Sequence, residues 1–283
     1  MSSKEHDEIK QSVRQFYGNI AKTNSDSSNT SQASSCCGPV QIMEKQEKKA
    51  TACCAKPGAS DDNLYELKGY KTEELDSFSD IDSLKMGLGC GNPTAIASLK
   101  SGEIVVDLGS GGGFDCFLAA KQVGEKGKVI GVDMTPDMLS KARANAKKLG
   151  AANVEFRLGE IEHLPIADNT ADIIISNCVI NLAPDKLSVY KEAFRVLKPG
   201  GRLAIADTMA KDVLPEEVKN DLKLWSCCIG GAITADETEK KLKEAGFLEI
   251  TITANKDYQD TIDKWSSKSA QIFPAYIEAK KPL

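Results

Sequence analysis

From residue 103 onward, short apolar runs alternate with segments whose apolar positions recur at helical spacing. The runs IVVDL, KVIGVDM, VEFRLGEI, ADIIISNCVINL and RLAIADT are rich in β-branched residues and predict five strands. Between them CFLAAKQVG, PDMLSKARANAKKLG and SVYKEAFRVLKPGG predict helices. Pro136 sits in the first turn of the second, and Pro199 and Gly200 are expected to stop the third. Strands apolar on both faces, separated by helices, imply a parallel sheet covered on both sides.

The flanks follow other patterns. Residues 4–22 place Ile9, Val13, Phe16, Tyr17 and Ile20 on one helical face. Residues 23–62 are polar and small, and predict a mobile loop. Residues 63–100 carry short helical patterns around the Gly-rich turn GLGCGNP. Residues 208–247 predict helix, and residues 248–254 and 270–281 predict two terminal strands. Three regions result: an N-terminal helix and loop (1–62), a core (63–207), and a C-terminal portion that completes the sheet (208–283).

Composition narrows the function. The 283 residues carry a net charge of −5, which offers no basic face to a nucleic acid. No apolar run is long enough to span a membrane, and MSSKEHDEIK lacks the apolar core of a signal peptide. The expectation is a cytoplasmic monomer that engages neither nucleic acid nor membrane. There the nine cysteines should be mostly reduced. With only His6 and His163, and no CxxC spacing, a tetrahedral zinc site is disfavoured. Clustered thiols in a reducing compartment point instead to soft-metal or metalloid binding, or to redox chemistry.

Two motifs carry chemistry. DLGSGGGFD (107–115) follows a strand and opens a helix, and Asp133 ends the next strand about 20 residues on. Glycines there let backbone approach a ligand, and the acid can take two ribose hydroxyls. A dinucleotide site would share these features. An acid at Asp107 directly before G-x-GGG resembles instead the class I S-adenosylmethionine-dependent methyltransferases, as do LGEIEHLP (158–165) and KPGG (198–201). That resemblance implies a Rossmann-like α/β fold with a mixed, mostly parallel seven-stranded sheet, helices on both faces, and a small C-terminal α+β cap. It implies cofactor contacts from Asp107, Gly109, Ser110, Gly111, Asp133, Met134 and Asn177, with Glu160 or Ile161 on the adenine and Glu162 nearby. Cys178, at the carboxyl end of the fourth strand, then stands beside the methyl donor.

Methylation of an ordinary nucleophile calls for a positioned base. The fourth strand ends in SNC, without a histidine. Cys178 alone reads equally as a small buried apolar residue. Cys90 in a Gly-rich turn and Cys228 in an expected helix would also flank the pocket. Three thiolates from separate segments suit trigonal-pyramidal As(III), whose lone pair can be the nucleophile.

GCGNP (89–93), SNCVINLAPDK (176–186) and LWSCCIGGA (224–232) resemble the three cysteine motifs of the arsenite methyltransferases. The resemblance implies stepwise methylation of arsenite and methylarsenite, with S-adenosylmethionine as donor and a thiol, glutathione or thioredoxin, as reductant. It carries Cys90, Cys178 and Cys228 over as arsenic ligands. A further cysteine of that family corresponds to one in the pairs Cys36–Cys37 or Cys53–Cys54, and Cys53 and Cys54 are candidate additional ligands. Cys116 reads as packing, and Cys227 as either a spare ligand or a bystander. Two other readings remain open: a methyltransferase of a quinone, lipid or sterol with structural cysteines, and a thiol-rich metalloid sink.

Overall fold

A computed structural model describes residues 3–23, 65–66, 68–76, 78, 81, 84, 86–256 and 271–283. The elements run α1 (Ser3–Thr23), α2 (Thr72–Asp76), α3 (Pro93–Ile96), β1 (Ile104–Leu108), α4 (Phe114–Val123), β2 (Lys128–Asp133), α5 (Pro136–Leu149), β3 (Val154–Leu158), β4 (Ala171–Asn177), α6 (Lys186–Val196), β5 (Leu197–Ala210), α7 (Glu216–Lys219), α8 (Leu222–Ser226), α9 (Ala235–Ala245), β6 (Leu248–Ala254) and β7 (Ile272–Lys280). A short 3-10 turn covers Ile180–Leu182.

The sheet order is β3-β2-β1-β4-β5-β7-β6, seven strands as expected. β1 to β5 pair in parallel, and β7 runs antiparallel between β5 and β6. The period of two sorts the strand residues onto opposite faces. Val106, Leu108, Ile130, Val132, Ile174 and Ile205 meet one layer, built from α6 and α9 through Val189, Tyr190, Val196 and Leu242. Val105, Val129, Ile173 and Ile175 meet the other, built from α4 and α5 through Phe117, Leu118, Val123 and Leu139. Chain order reverses between β1 and β4, and at that reversal the carboxyl ends of the strands leave a crevice.

Helix boundaries follow local chemistry. Asp185 caps α6 by accepting Ser188 N–H at 3.1 Å, and Thr234 caps α9 by accepting Glu237 N–H at 3.3 Å. Gly150 and Gly246 end α5 and α9 with φ of 64° and 105°, the left-handed turn that glycine takes without steric penalty.

Two expectations are corrected. The KPGG segment does not trail a helix. α6 ends at Val196, and Leu197 already pairs with Ala171, so Pro199 and Gly200 lie at an irregular start of β5. Residues 208–247 are not continuous helix either. Thr208, Met209 and Ala210 extend β5 by pairing with Pro274, Phe273 and Ile272 of β7, and short helices follow. Among the described residues no helix is long and apolar enough to cross a membrane.

Ile174 is fully buried at the centre of β4. Ile174→Ala should lower stability by about 2–5 kcal/mol, read as a shift in the denaturant midpoint at constant slope.

Candidate active site

The crevice is lined first by the loop after β1. Gly109 and Ser110 N–H both donate to Val132 O, at 2.7 and 3.0 Å, which ties the loop to the end of β2. Gly109 has φ 69°, and a Cβ there would stand 2.4 Å from Val179, so the turn has no room for a side chain. Gly111 N–H donates to Asp133 Oδ2 at 2.9 Å, and Thr135 N–H to Asp133 Oδ1 at 2.8 Å. Burial pushes the Asp133 carboxyl up, and these two donors oppose the rise. The Thr135 side chain also hydrogen-bonds this carboxyl, which lines the cavity, where an acid suits a pair of ribose hydroxyls. Ser110 Oγ is buried and has no partner among the described residues, so it is an unmet hydrogen-bonding group at this edge. The loop, the unmet hydroxyl and the acid fit S-adenosylmethionine. Asp107, Gly109, Ser110, Gly111, Asp133, Met134, Ile161, Glu162, Asn177 and Cys178 all line the cavity.

Glu160 does not. It turns outward to α1, where Lys10 Nζ lies 2.7 Å from Oε2 and an Arg14 guanidinium nitrogen 3.1 Å from Oε1. Lys10 also reaches Glu162 Oε1 at 3.1 Å. The charged stripe of α1 is thus anchored on the loop after β3. Its apolar stripe places Ile9 and Val13 against Cys90, Cys178, Leu182, Trp225 and Cys228. Lys10, Val13 and Tyr17 line the cavity.

The sulfurs gather behind this wall. Cys178 and Cys228 Sγ and one Asp207 carboxylate oxygen lie within 4.8 Å of one another. Cys228 Sγ donates to Cys178 O at 2.9 Å. Cys178 and Cys228 have φ of 57° and 59°, a conformation that costs a non-glycine residue about 1–3 kcal/mol. Cys228 therefore stands in a tight turn after α8, not in the helix expected from sequence. That turn is held by Thr208 Oγ1 donating to Cys228 O at 3.0 Å. A Cβ on Gly231 would stand 1.9 Å from Asn181 O, and one on Gly230 2.7 Å from Trp225, so neither position has room for a side chain.

Cys90 reaches the cluster from the opposite side and is joined to Cys178 as a disulfide, with Cα atoms 5.5 Å apart. Cys228 keeps a free thiol, and the pairing sets the Cys90 and Cys178 sulfurs side by side. The glycines on both sides of Cys90 let its turn approach β4 closely enough to pair. Cys90 and Cys228 are buried beside Cys178 and are not on the cavity surface itself. Cys227 faces a separate apolar cluster with Leu214, Val218 and Ile229, away from the sulfurs. Cys116 is packed as expected, and its thiol also donates to Asp107 Oδ2 at 3.1 Å. Cys36, Cys37, Cys53 and Cys54 lie outside the described residues.

Sequence reasoning missed several neighbours. Asp207 is buried in β5 and accepts Ile180 N–H at 3.0 Å, Thr208 N–H at 2.8 Å and Asn181 Nδ2 at 2.9 Å. Burial raises its carboxyl to about 6, against the pull of these donors and Lys186. An acid inside the apolar run LAIADT was the available signal. Lys186 is buried with Nζ 5.1 Å from the Trp225 ring centroid, and burial lowers it to about 8. No histidine among the described residues lines the cavity.

A model described as "Methyltransferase domain" matches residues 99–246. An arsenite methyltransferase of Halobacterium salinarum is 42% identical across 100% of this chain, which covers 69% of that protein. One of Mus musculus is 36% identical over 87% of this chain and 60% of its own length. A crystal structure of an arsenic (III) S-adenosylmethionine methyltransferase from Chlamydomonas reinhardtii is similar at a TM-score of 0.55 and 34% identity, covering 77% of this chain and 72% of that one.

The α1 anchor has a pH signature. The Lys10 hydrogen bond holds the Glu160 carboxyl below its usual range, against a smaller opposing effect of burial. Its contribution is present above the ordinary glutamate value of about 4.3 and is lost as pH falls through the lower folded value. Hydrogen exchange in α1 should accelerate over that acid window. Lys10→Met should exchange fast at neutral pH already and lose most of the pH dependence.

Proposed function

Because this chain belongs to the arsenite methyltransferase family, we propose that its sulfur cluster holds trivalent arsenic as thiolate ligands while a methyl group is transferred from S-adenosylmethionine. The activity is S-adenosylmethionine-dependent methylation of arsenic. The observation that carries the thiolate reading is the convergence of Cys90, Cys178 and Cys228, from three separate segments, on one buried point at the cavity's inner end.

Arsenite binding is a condensation. Each thiol gives its proton to an arsenic hydroxyl, water leaves, and an As–S bond forms. Where Cys90 and Cys178 are oxidised to a disulfide, two glutathiones or one dithiol such as thioredoxin supply the two electrons and two protons that free them, and are themselves oxidised to a disulfide. The thiol co-substrate proposed from sequence has its role at this step. The cofactor supplies an electrophilic methyl on a positive sulfonium. The arsenic lone pair becomes the new As–C bond, so no residue has to remove a proton from the nucleophile. This accords with a cavity whose described lining includes no histidine.

The remaining work is placement. The loop at 109–111 and Asp133 hold the cofactor's polar groups, and Met134, Ile161 and Glu162 bound its adenine side. Glu160, engaged by Lys10 and Arg14, holds α1 in place instead. Ile9, Val13, Leu182 and Trp225 exclude water around the sulfurs. The S–C bond breaks as the As–C bond forms, and the positive charge is spread from sulfur toward arsenic in the transition state, so a dry wall favours the reaction. The pentavalent arsenic that results takes two electrons, from two glutathiones or one dithiol, before it can accept a further methyl. In-line transfer needs the reacting atoms about 3–3.5 Å apart.

The test is transfer of labelled methyl from S-adenosylmethionine to arsenite in the presence of glutathione. Wild type should yield labelled methylarsenicals. Cys178→Ser and Cys228→Ser should each fall by at least about two orders of magnitude with cofactor affinity little changed. Equal activity in all three would leave arsenic methylation standing and remove the thiolate site.

A further inference from the structure

Asn177 ends β4 and directly precedes Cys178. An amide at the edge of the cavity is an ordinary candidate for cofactor contact. Here its polar atoms are engaged by protein. Oδ1 accepts Cys90 N–H at 2.8 Å. Nδ2 donates toward Gly91 O at 2.8 Å and toward Asp115 Oδ2 and Tyr70 OH, both at 2.9 Å. The amide cannot be turned round, because its oxygen would then face a carbonyl and a carboxylate. Asp115 is held in turn by Tyr70 OH, which donates to Oδ1 at 2.7 Å. Both oxygens of that buried carboxylate are therefore committed.

The Cys90 turn is shaped to this amide. A Cβ on Gly89 would stand 2.5 Å from Asn177 Nδ2, and one on Gly91 would stand 2.9 Å from Ala206 Cβ. Asn177 thus grips the main chain on both sides of Cys90, at Cys90 N and Gly91 O, and leaves the sulfur directed at Cys178. The other two sulfurs are placed independently of this amide. Cys178 N–H donates to Ala206 O at 2.8 Å, and the Cys228 turn is held from Thr208.

We propose that Asn177, backed by Asp115 and Tyr70, is a positioning residue that delivers Cys90 as the third sulfur for inorganic arsenite, and so sets the enzyme's preference between arsenite and methylarsenite. The proposal rests on the thiolate reading above. Arsenite has three exchangeable hydroxyls and can release three waters to three thiols. Methylarsenite has two and can be held by Cys178 and Cys228 alone. Loosening the Cys90 turn therefore weakens the three-sulfur substrate selectively.

The experiment measures methyl transfer to arsenite and to methylarsenite, with glutathione present, for wild type, Asn177→Ala, Tyr70→Phe and Cys90→Ser. S-adenosylmethionine binding is measured calorimetrically on each. In Asn177→Ala the arsenite-to-methylarsenite rate ratio should drop by at least about tenfold, as in Cys90→Ser. The double variant Asn177→Ala/Cys90→Ser should be no slower on arsenite than Cys90→Ser alone. Tyr70→Phe removes one hydroxyl from the support and should shift the ratio the same way by a smaller factor, which keeps the test decisive should Asn177→Ala fold poorly. Equal losses on both substrates together with weaker S-adenosylmethionine binding would overturn the proposal and make Asn177 a cofactor ligand. An unchanged ratio in Cys90→Ser would overturn the three-sulfur reading and this proposal with it. A shifted ratio in Cys90→Ser, beside unchanged ratios in Asn177→Ala and Tyr70→Phe, would remove the positioning role alone.

Discussion

β1 and β4 lie side by side but send their following segments to opposite faces of the sheet, and the crevice left between them is the constraint that the rest of the molecule serves. Four of the site's polar residues sit on strands of the sheet: Asp107 near the end of β1, Asp133 at the end of β2, Asn177 at the end of β4, and Asp207 in β5. Strands of a parallel sheet pack in fixed register, so these four positions are set by backbone hydrogen bonds before any side chain acts. Ligand chemistry is thereby placed on the most rigid part of the fold.

The sulfur cluster shows how local strain is sustained. Cys178 and Cys228 occupy left-handed backbone conformations that their side chains disfavour. Asp207 and Asn181 supply the compensation. They bind the N–H groups after Cys178 and the segment beneath the Cys228 turn in one buried network. Two adjoining networks therefore divide the work. The Asp207 network fixes the Cys178 and Cys228 turns, and the Tyr70–Asp115–Asn177 network fixes the approach of Cys90.

What the sequence disclosed followed from periodicity. Apolar runs gave the five parallel strands, and the glycines after Asp107 marked the cofactor loop, because both signals are local. The extension of β5 past Asp207 was not legible, because it depends on pairing with β7 more than sixty residues later. Glu160 and Ile161 stood as alternatives on the adenine side because spacing could not reveal that Lys10 and Arg14 on α1 engage Glu160. The apolar stripe of α1 predicted a helix but not the surface it covers. Asn177 was expected to contact the cofactor; it lines the cavity, but its hydrogen bonds to the Cys90 turn reach across 86 and 87 residues and leave no mark on local pattern.

The pairing of β5 with β7 also orders events during synthesis. Residues 272–280 emerge long after the strand they complete. Until then the outer edge of β5, from Arg202 to Ala210, is an open row of backbone donors and acceptors, and Asp207 has no finished layer on one side. The nascent chain can assemble the cofactor crevice between β1 and β4 first, since every strand it needs is already present. Completion of the sulfur cluster waits for β7, so a ribosome-bound chain passes through a stage that has a finished crevice and an unfinished sulfur pocket.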